Sequence, residues 1–322
     1  MNVRKRGVFL RLFTQTPSIN RLLLHSRPPR QPRAVAVAVR RDAGDQVELA
    51  ERSAQLHVAR RHEALGDGRR ELLLGHDPSH DVGGRCLVQG VDGVVTMLPN
   101  GEIVKSVYEG SVIGKAPQGS VLLDCSTIDV ATAKDVSAAA EAAGYDMVDA
   151  PVSGGIAAAN GGTLTFMVGG TEKAFGRAEE VLQAMGKAVI HAGDAGAGQT
   201  DKICNNMLLA ISMIGTAEAM KMAEKLGLDP QKFYEISSQS SGYCWSLNAY
   251  TPMPGVGVES PADKDYKGGF ATGLMLKDLR LAMEAAQTAD ASTPLGAHAK
   301  ELYEQFAKDN AGLDFSAIIR TL

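Results

Sequence analysis

Apolar and polar positions follow two patterns along the chain, and the change falls near residue 90. Beyond it, short apolar runs alternate with longer segments of helical character. Residues 94–98, in "VDGVVTMLPNG", form a largely apolar run, halted by Pro99 and followed by Asn100-Gly101; this predicts a buried strand closing in a turn. "SVLLDCST" (120–127) repeats the plan, with small polar residues at its end. "DVATAKDVSAAAEAAG" (129–144) is rich in Ala and stops at Gly, so it predicts a helix. "YDMVDAPVSGG" (145–155) reads as another strand with a small-residue loop, and "TLTFMVGG", the helix "TEKAFGRAEEVLQAMG" and "KAVIHAG" continue the alternation. Strand, loop and helix in repetition predict the α/β class, a Rossmann-like parallel sheet covered by helices.

After Gly198 the pattern turns helical throughout. Residues 200–226 read as one long helix, apolar on nearly every side, which predicts a buried spine. Asp229-Pro230 opens the next helix, with Pro in its first turn. "GGFATGLMLKDLRLAMEAAQTAD" and "PLGAHAKELYEQFAKDN" supply two more. The expected organisation is therefore an atypical segment at 1–90, a partial Rossmann-like α/β domain at 91–195 and an all-helical domain at 196–322.

Charge sharpens the break. Residues 1–90 hold 15 Arg, 1 Lys and 9 acids, a balance of +7; the remainder holds 3 Arg, 14 Lys and 28 acids, a balance of −11. The first acid is Asp42. Three readings of this front stand side by side. It is basic and poor in acids like a mitochondrial presequence. It could be a basic arm for an anionic surface, although only Phe9 and Phe13 supply aromatics there. Or it is translation in a wrong frame and disordered, since Arg, Pro, Gly, His and Ala in excess show no sustained period. No run nears the roughly 18 uninterrupted apolar residues of a membrane span. Cys86, Cys125, Cys204 and Cys244 are scattered without metal spacing, which fits a reducing compartment. No metal, nucleic acid or membrane is expected as a partner.

The chemistry concentrates in "GDAGAGQTDKICNNMLLAISM" (193–213). Lys202 and Asn206 are four apart and so share a helix face, while Asn205 points elsewhere. A lysine on an apolar spine, near a helix N-terminus, must pair, reach solvent or work with a lowered pKa. Beside an amide able to hold a hydroxyl or carboxylate, such an amine makes a general acid/base. Gly193, Gly196 and Gly198 would let a ligand or another backbone pass close; their spacing is not the dinucleotide fingerprint. The strand ends Leu98-Pro99, Ser126-Thr127 and Ser153-Gly154-Gly155 fall where parallel sheets bind ligands. A Ser153 or Cys204 nucleophile has no histidine nearby in sequence, because only His191 and His298 follow residue 90.

"DAPVSGGIAAANGGTLTFMVGG" and "GDAGAGQTDKICNNMLLAISMIGTAEAM", with "SSGYCWSLNAYTPMPGV" and "YKGGFATGLMLKDLRLA", resemble the 3-hydroxyisobutyrate dehydrogenases of the β-hydroxyacid dehydrogenase family. The resemblance runs from about residue 90 to the C-terminus. It implies NAD-dependent oxidation of 3-hydroxyisobutyrate to methylmalonate semialdehyde in valine breakdown. A related tartronate semialdehyde or glyoxylate reductase and a non-catalytic remnant are the alternatives. It implies Lys202 as the catalytic acid/base and Asn206, Ser153, Gly154 and Gly155 as substrate-binding residues. Leu98, Pro99, Thr127 and Lys277 would line the cofactor, with Asp278 placed to orient Lys277 and Trp245 and Phe270 as walls. It further implies a homodimer or homotetramer built through the helical domain, in the cytoplasm or, if residues 1–41 are a presequence, the mitochondrial matrix. The front departs from the family: residues 1–92 contain no G-x-G-x-x-G, so the first strand–turn–helix unit is missing or altered and NAD binding is expected to suffer.

Overall fold

The computed structural model describes residues 91–322, together with the backbone of three earlier strands, β1 (Val8–Arg11), β2 (Arg21–Leu24) and β3 (Arg33–Val39). The chain divides into two units, Met1–Lys202 and Ile203–Leu322.

In the first unit the apolar run becomes β4 (Val91–Met97), parallel to β5 (Val121–Asp124), which is parallel to β6 (Asp146–Asp149). All four residues of β5 are buried, as a central strand covered on both faces requires. The other side of β4 pairs in parallel with β3, Ala36 opposite Val94, so a strand from the Arg-rich segment takes this edge. β1 and β2 extend this side antiparallel. The presequence, basic-arm and misread-frame expectations for the rest of residues 1–90 lie outside the described residues.

Beyond β6 the chain reverses. β6 and β7 (Val152–Ser153) pair antiparallel with β8 (Leu164–Gly169), and β9 (Gly186–Gly193) runs parallel to β8. The sheet is thus parallel in its centre and mixed at this edge, an α/β architecture of the Rossmann-like kind.

Helices α1 (Gly101–Val107), α2 (Val130–Ala142), α3 (Gly155–Gly161) and α4 (Glu172–Gln183) connect the strands. The expected turn at Asn100-Gly101 is instead a helix start. The Asn100 Oδ1 accepts the Ile103 N–H at 3.0 Å, because Asn suits an N-cap as well as a turn. Asp129 and Thr171 cap α2 and α4 in the same way. α4 buries Ala174, Ala178, Val181 and Leu182, an i, i+4, i+7, i+8 stripe, against a core of Leu123, Val148, Phe166 and Val168.

The second unit is helical. α5 (Ala197–Lys225) runs into it, followed by α6 (Pro230–Ser237), α7 (Trp245–Asn248), α8 (Thr272–Thr288) and α9 (Pro294–Asn310). Its core joins Met213, Ala217 and Met220 of α5 to Met275 and Leu279 of α8, Tyr303 and Phe306 of α9, and Phe315. α5 is not buried all round, however: Leu208 and Met222 are 63% and 62% exposed. The run is apolar enough by length and composition to cross a bilayer, yet one face of it forms this unit's core.

Candidate active site

Strand ends and one helix start assemble the first unit's site. Asp149 closes β6 and is buried. Its carboxylate accepts the N–H groups of Gly196 at 2.7 Å and Gln199 at 2.9 Å, two of the donors that the opening turn of α5 cannot satisfy internally. Burial pushes the Asp149 carboxyl up from its ordinary range, and these backbone hydrogen bonds oppose the rise. The close approach is possible because residue 198 is glycine: a Cβ there would stand 2.3 Å from the Met167 carbonyl oxygen and 2.8 Å from that of Asp149. At Gly198, then, it is the protein's own backbone that comes close.

Gln199 is fully buried. Its Oε1 accepts the Ile128 N–H at 3.0 Å and its Nε2 donates to the Ser126 carbonyl at 2.8 Å, so it brackets Thr127 in the loop after β5. Lys202 follows three residues later and is also buried, at 7% exposure.

A second buried network joins the ends of β4 and β5. The Asp124 Oδ1 accepts the hydroxyls of Ser126 at 2.5 Å and Thr96 at 2.8 Å, and Thr96 meets the Tyr108 hydroxyl at 2.9 Å. The Leu98 N–H donates to the Ser126 Oγ at 2.8 Å, which holds the loops of Leu98-Pro99 and Ser126-Thr127 together. Burial raises the Asp124 carboxyl to about 6, opposed by hydrogen bonds from Ser126 and Thr96. Its Oδ2 has no hydrogen-bond partner. Asp124 and Asp149 face one another in register across β5 and β6.

Ser153 ends β7, and Gly154 and Gly155 open α3. Gly154 has φ +126°, and a Cβ there would lie 2.4 Å from the Ala158 Cβ, so only glycine fits. His191 is engaged elsewhere, its Nε2 within 2.7 Å of the Gly170 carbonyl.

In the second unit Asn206 and Asp278 are both buried, and the Asn206 Nδ2 donates to the Asp278 Oδ2 at 2.6 Å. The Lys277 Nζ lies 3.7 Å from the Asp278 Oδ1. Asp278 is therefore a buried acid bonded to Asn206 and within ion-pair distance of Lys277. Asn205, expected to point away, donates from its Nδ2 to the Asn206 Oδ1 at 3.0 Å, because a neighbouring amide can reach sideways along the helix. Trp245, expected as a water-excluding wall, is 51% exposed and stacks on Tyr250. Phe270 packs edge-on against Phe315.

The sequence-predicted residues thus fall into two sets. Leu98, Pro99, Thr127, Ser153, Gly154, Gly155 and Lys202 belong to the first unit, Asn206 and Lys277 to the second. Asp149, Gln199, Asp124 and Thr96, which hold the first set, escape sequence reasoning. Apart from Ser126, two residues from Asp124, the acids' partners cited above lie 28 to 50 residues away, and those of the Gln199 side chain 71 to 73, beyond any local pattern.

A parallel-centred sheet with a buried lysine at a helix start beside its strand ends defines a dinucleotide-dependent dehydrogenase. Residues 196–322 match the family model described as NAD-binding of NADP-dependent 3-hydroxyisobutyrate dehydrogenase, and residues 75–193 that of the NAD binding domain of 6-phosphogluconate dehydrogenase. The chain is 50% identical over 235 residues to the 3-hydroxyisobutyrate dehydrogenase of Pseudomonas aeruginosa, covering 71% of this chain and 79% of that protein. It is 47% identical over 237 residues to the NAD-dependent L-serine dehydrogenase of the same organism, covering 73% and 80%. The solved 3-hydroxyisobutyrate dehydrogenase of Mycobacterium tuberculosis with L-serine is similar at 39% identity and a TM-score of 0.75, over 89% of this chain and 98% of that one. The chain belongs to the 3-hydroxyisobutyrate dehydrogenase family and is an NAD(P)-dependent oxidoreductase of 3-hydroxy acids.

Pro99 and Thr127, both part-exposed in loops held by Ser126 and Asp124, would hold the cofactor's nicotinamide end, while Leu98 beside Pro99 is buried. The glycine turn that would take the pyrophosphate has no counterpart among the described residues.

Proposed function

We propose that the chain oxidises 3-hydroxyisobutyrate to methylmalonate semialdehyde with NAD, in valine breakdown, using Lys202 as general acid/base. One observation carries this: a buried lysine stands in the opening turns of a helix whose start is fastened to the ends of β5 and β6. The Lys202 Nζ takes the substrate's hydroxyl proton during oxidation and returns it in reduction. NAD, when bound, would supply the hydride acceptor for the carbon that carries the hydroxyl. Asn206, one helical turn on, holds the hydroxyl; Ser153, Gly154 and Gly155 bind the carboxylate. Leu98, Pro99, Thr127 and Lys277 line the cofactor.

L-Serine is the second reading, supported by the L-serine dehydrogenase among the relatives and by the L-serine in the similar solved structure. Both are small 3-hydroxy acids, so one lysine and one carboxylate site serve either. The exposed Leu208, Met222 and Leu226 on and just beyond α5 support a homodimer or homotetramer through the helical unit. A reducing compartment, the cytoplasm or the mitochondrial matrix, suits Cys125, Cys204 and Cys244, which form no disulfide with one another.

The test is NADH formation by the full chain with each substrate, beside Lys202→Ala. We expect a higher kcat/KM for 3-hydroxyisobutyrate than for L-serine, and a loss of about 10²–10⁴-fold in the variant. Full turnover by Lys202→Ala would remove the mechanism. A wild type that binds no NADH would favour the non-catalytic remnant.

A further inference from the structure

We propose that Gln199 is a positioning residue that sets Lys202 against the cofactor-lining Thr127, an inference that rests on the function proposed above. Its side chain is the tie between the helix that carries the lysine and the loop that carries the threonine. The carboxamide makes two hydrogen bonds to backbone on either side of Thr127, at Ser126 and Ile128, while its own N–H is held by Asp149. The Ile128 N–H and the Ser126 carbonyl together dictate which way the amide points, since one needs an acceptor and the other a donor. The residue is fully buried, so no solvent competes for these bonds.

The geometry assigns positioning rather than packing for three reasons. Gln199 lies three residues before Lys202, nearly one turn, so a rotation or slide at Gln199 passes directly to the lysine. The loop it grips is fastened to β4 as well, through the Ser126 Oγ and the Leu98 N–H, so both cofactor-lining loops move with it. And glycine at 198 lets the helix seat against the Met167 and Asp149 carbonyls, where any side chain would lift it. A misplacement of about 1 Å between acid/base and reacting carbon costs about 10²-fold in rate, so a tie of this kind has a catalytic consequence.

The test uses the full chain with Gln199→Leu, Gln199→Glu and, as a surface control, Gln183→Leu. Gln199→Leu keeps the side-chain bulk and removes both hydrogen bonds. We expect exchange of the Ile128 amide to accelerate at least tenfold without cofactor, NADH affinity to fall at least fivefold, and kcat for 3-hydroxyisobutyrate to fall at least tenfold, with a larger deuterium isotope effect on kcat than on the wild type. Gln199→Glu supplies the signature that a merely structural role would not move. Its protonated carboxyl can donate to the Ser126 carbonyl and accept from Ile128, as the amide does, whereas the carboxylate repels Ser126. Burial raises such a carboxyl's pKa. The NADH affinity of Gln199→Glu relative to wild type should therefore climb as pH falls from 8 to 6, while the control stays at the wild-type value throughout. NADH affinity and kcat within twofold of wild type in Gln199→Leu would overturn the assignment. So would a Gln199→Glu defect that is indifferent to pH, and this readout decides if Gln199→Leu fails to fold. A wild type that binds NADH but turns over neither hydroxy acid defeats the proposed reaction alone, since the exchange and affinity readouts still judge the tie. A wild type that binds no NADH overturns both.

Discussion

Asp124 in the first unit and Asp314 in the second are the same short motif in two settings. Each begins Asp-x-Ser, and in each the Oδ1 accepts the hydroxyl of the serine two residues on at 2.5 Å. Both carboxylates are buried. They differ at the second oxygen. The Asp314 Oδ2 accepts the Phe270 N–H at 2.7 Å and the Tyr250 hydroxyl at 2.8 Å, so the group is saturated and staples the segment before α8 to the C-terminal turn. The Asp124 Oδ2 has no hydrogen-bond partner, and the residues its other oxygen serves, Thr96 and Ser126, hold the loops assigned to the cofactor. An acid that serves only stability can be satisfied on all sides. Asp124 is left incomplete at one oxygen; burial raises both carboxyls, that of Asp124 to about 6.

Removing the saturated acid should have the largest effect. Asp314→Ala orphans the N–H groups of Phe270 and Ser316 and two hydroxyls. At about 1–3 kcal/mol for each buried donor that finds no water, the loss should approach about 4 kcal/mol in chemical unfolding. The molecules that stay folded should keep NADH affinity within threefold of wild type. A large loss of affinity in folded protein would show that the staple also serves the site, and the contrast between the two acids would fail.

Asp124→Asn should give a somewhat smaller effect, and one that depends on pH. The folded carboxyl near 6 lies above its ordinary 3.8, so the folded state holds its proton more tightly. As pH rises from about 4 to about 6 the unfolded chain ionises first, and the wild type loses stability from this group. A rise of that size in the folded state corresponds to about 3 kcal/mol. Asn does not titrate, so the stability of Asp124→Asn relative to wild type should rise by about that amount between pH 4 and pH 8, read from urea unfolding at each pH. A difference that is flat with pH would mean that Asp124 is ionised like a surface acid.

Legibility from sequence follows the range of the interaction. β4, β5 and α2 are readable because apolar runs, Ala content and terminal glycine are local signals. So is the site's centre, since a lysine four residues from an amide on an apolar helix violates its own pattern. Asn100 misleads because Asn-Gly suits a turn and a cap equally, and only the Ile103 N–H decides between them. The parallel sheet gains an antiparallel edge at β8, since the short connection through β7 and α3 reverses the chain. Asp149, Gln199 and Asp124 are invisible as site residues. In sequence they are ordinary strand-end acids and a helix glutamine, and their meaning comes from partners that folding brings together.

The smallest effect tests which bond makes Asp314 the complete one. Tyr250→Phe removes one hydroxyl and leaves the ring stack with Trp245 and the contact with Phe315 intact. The Asp314 Oδ2 would retain the Phe270 N–H, so the cost should be about 1 kcal/mol, the net worth of one hydrogen bond. Burial, with Asp314 beside it, pushes the Tyr250 hydroxyl well above its ordinary range, so it stays protonated and the cost should be constant between pH 6 and pH 9. Unfolding curves of the two proteins at both ends of that interval would check it. If the substitution costs nothing, the Phe270 N–H alone distinguishes Asp314 from Asp124 at the second oxygen, and a single backbone donor separates a saturated staple from an acid left incomplete beside the loops of Leu98-Pro99 and Ser126-Thr127.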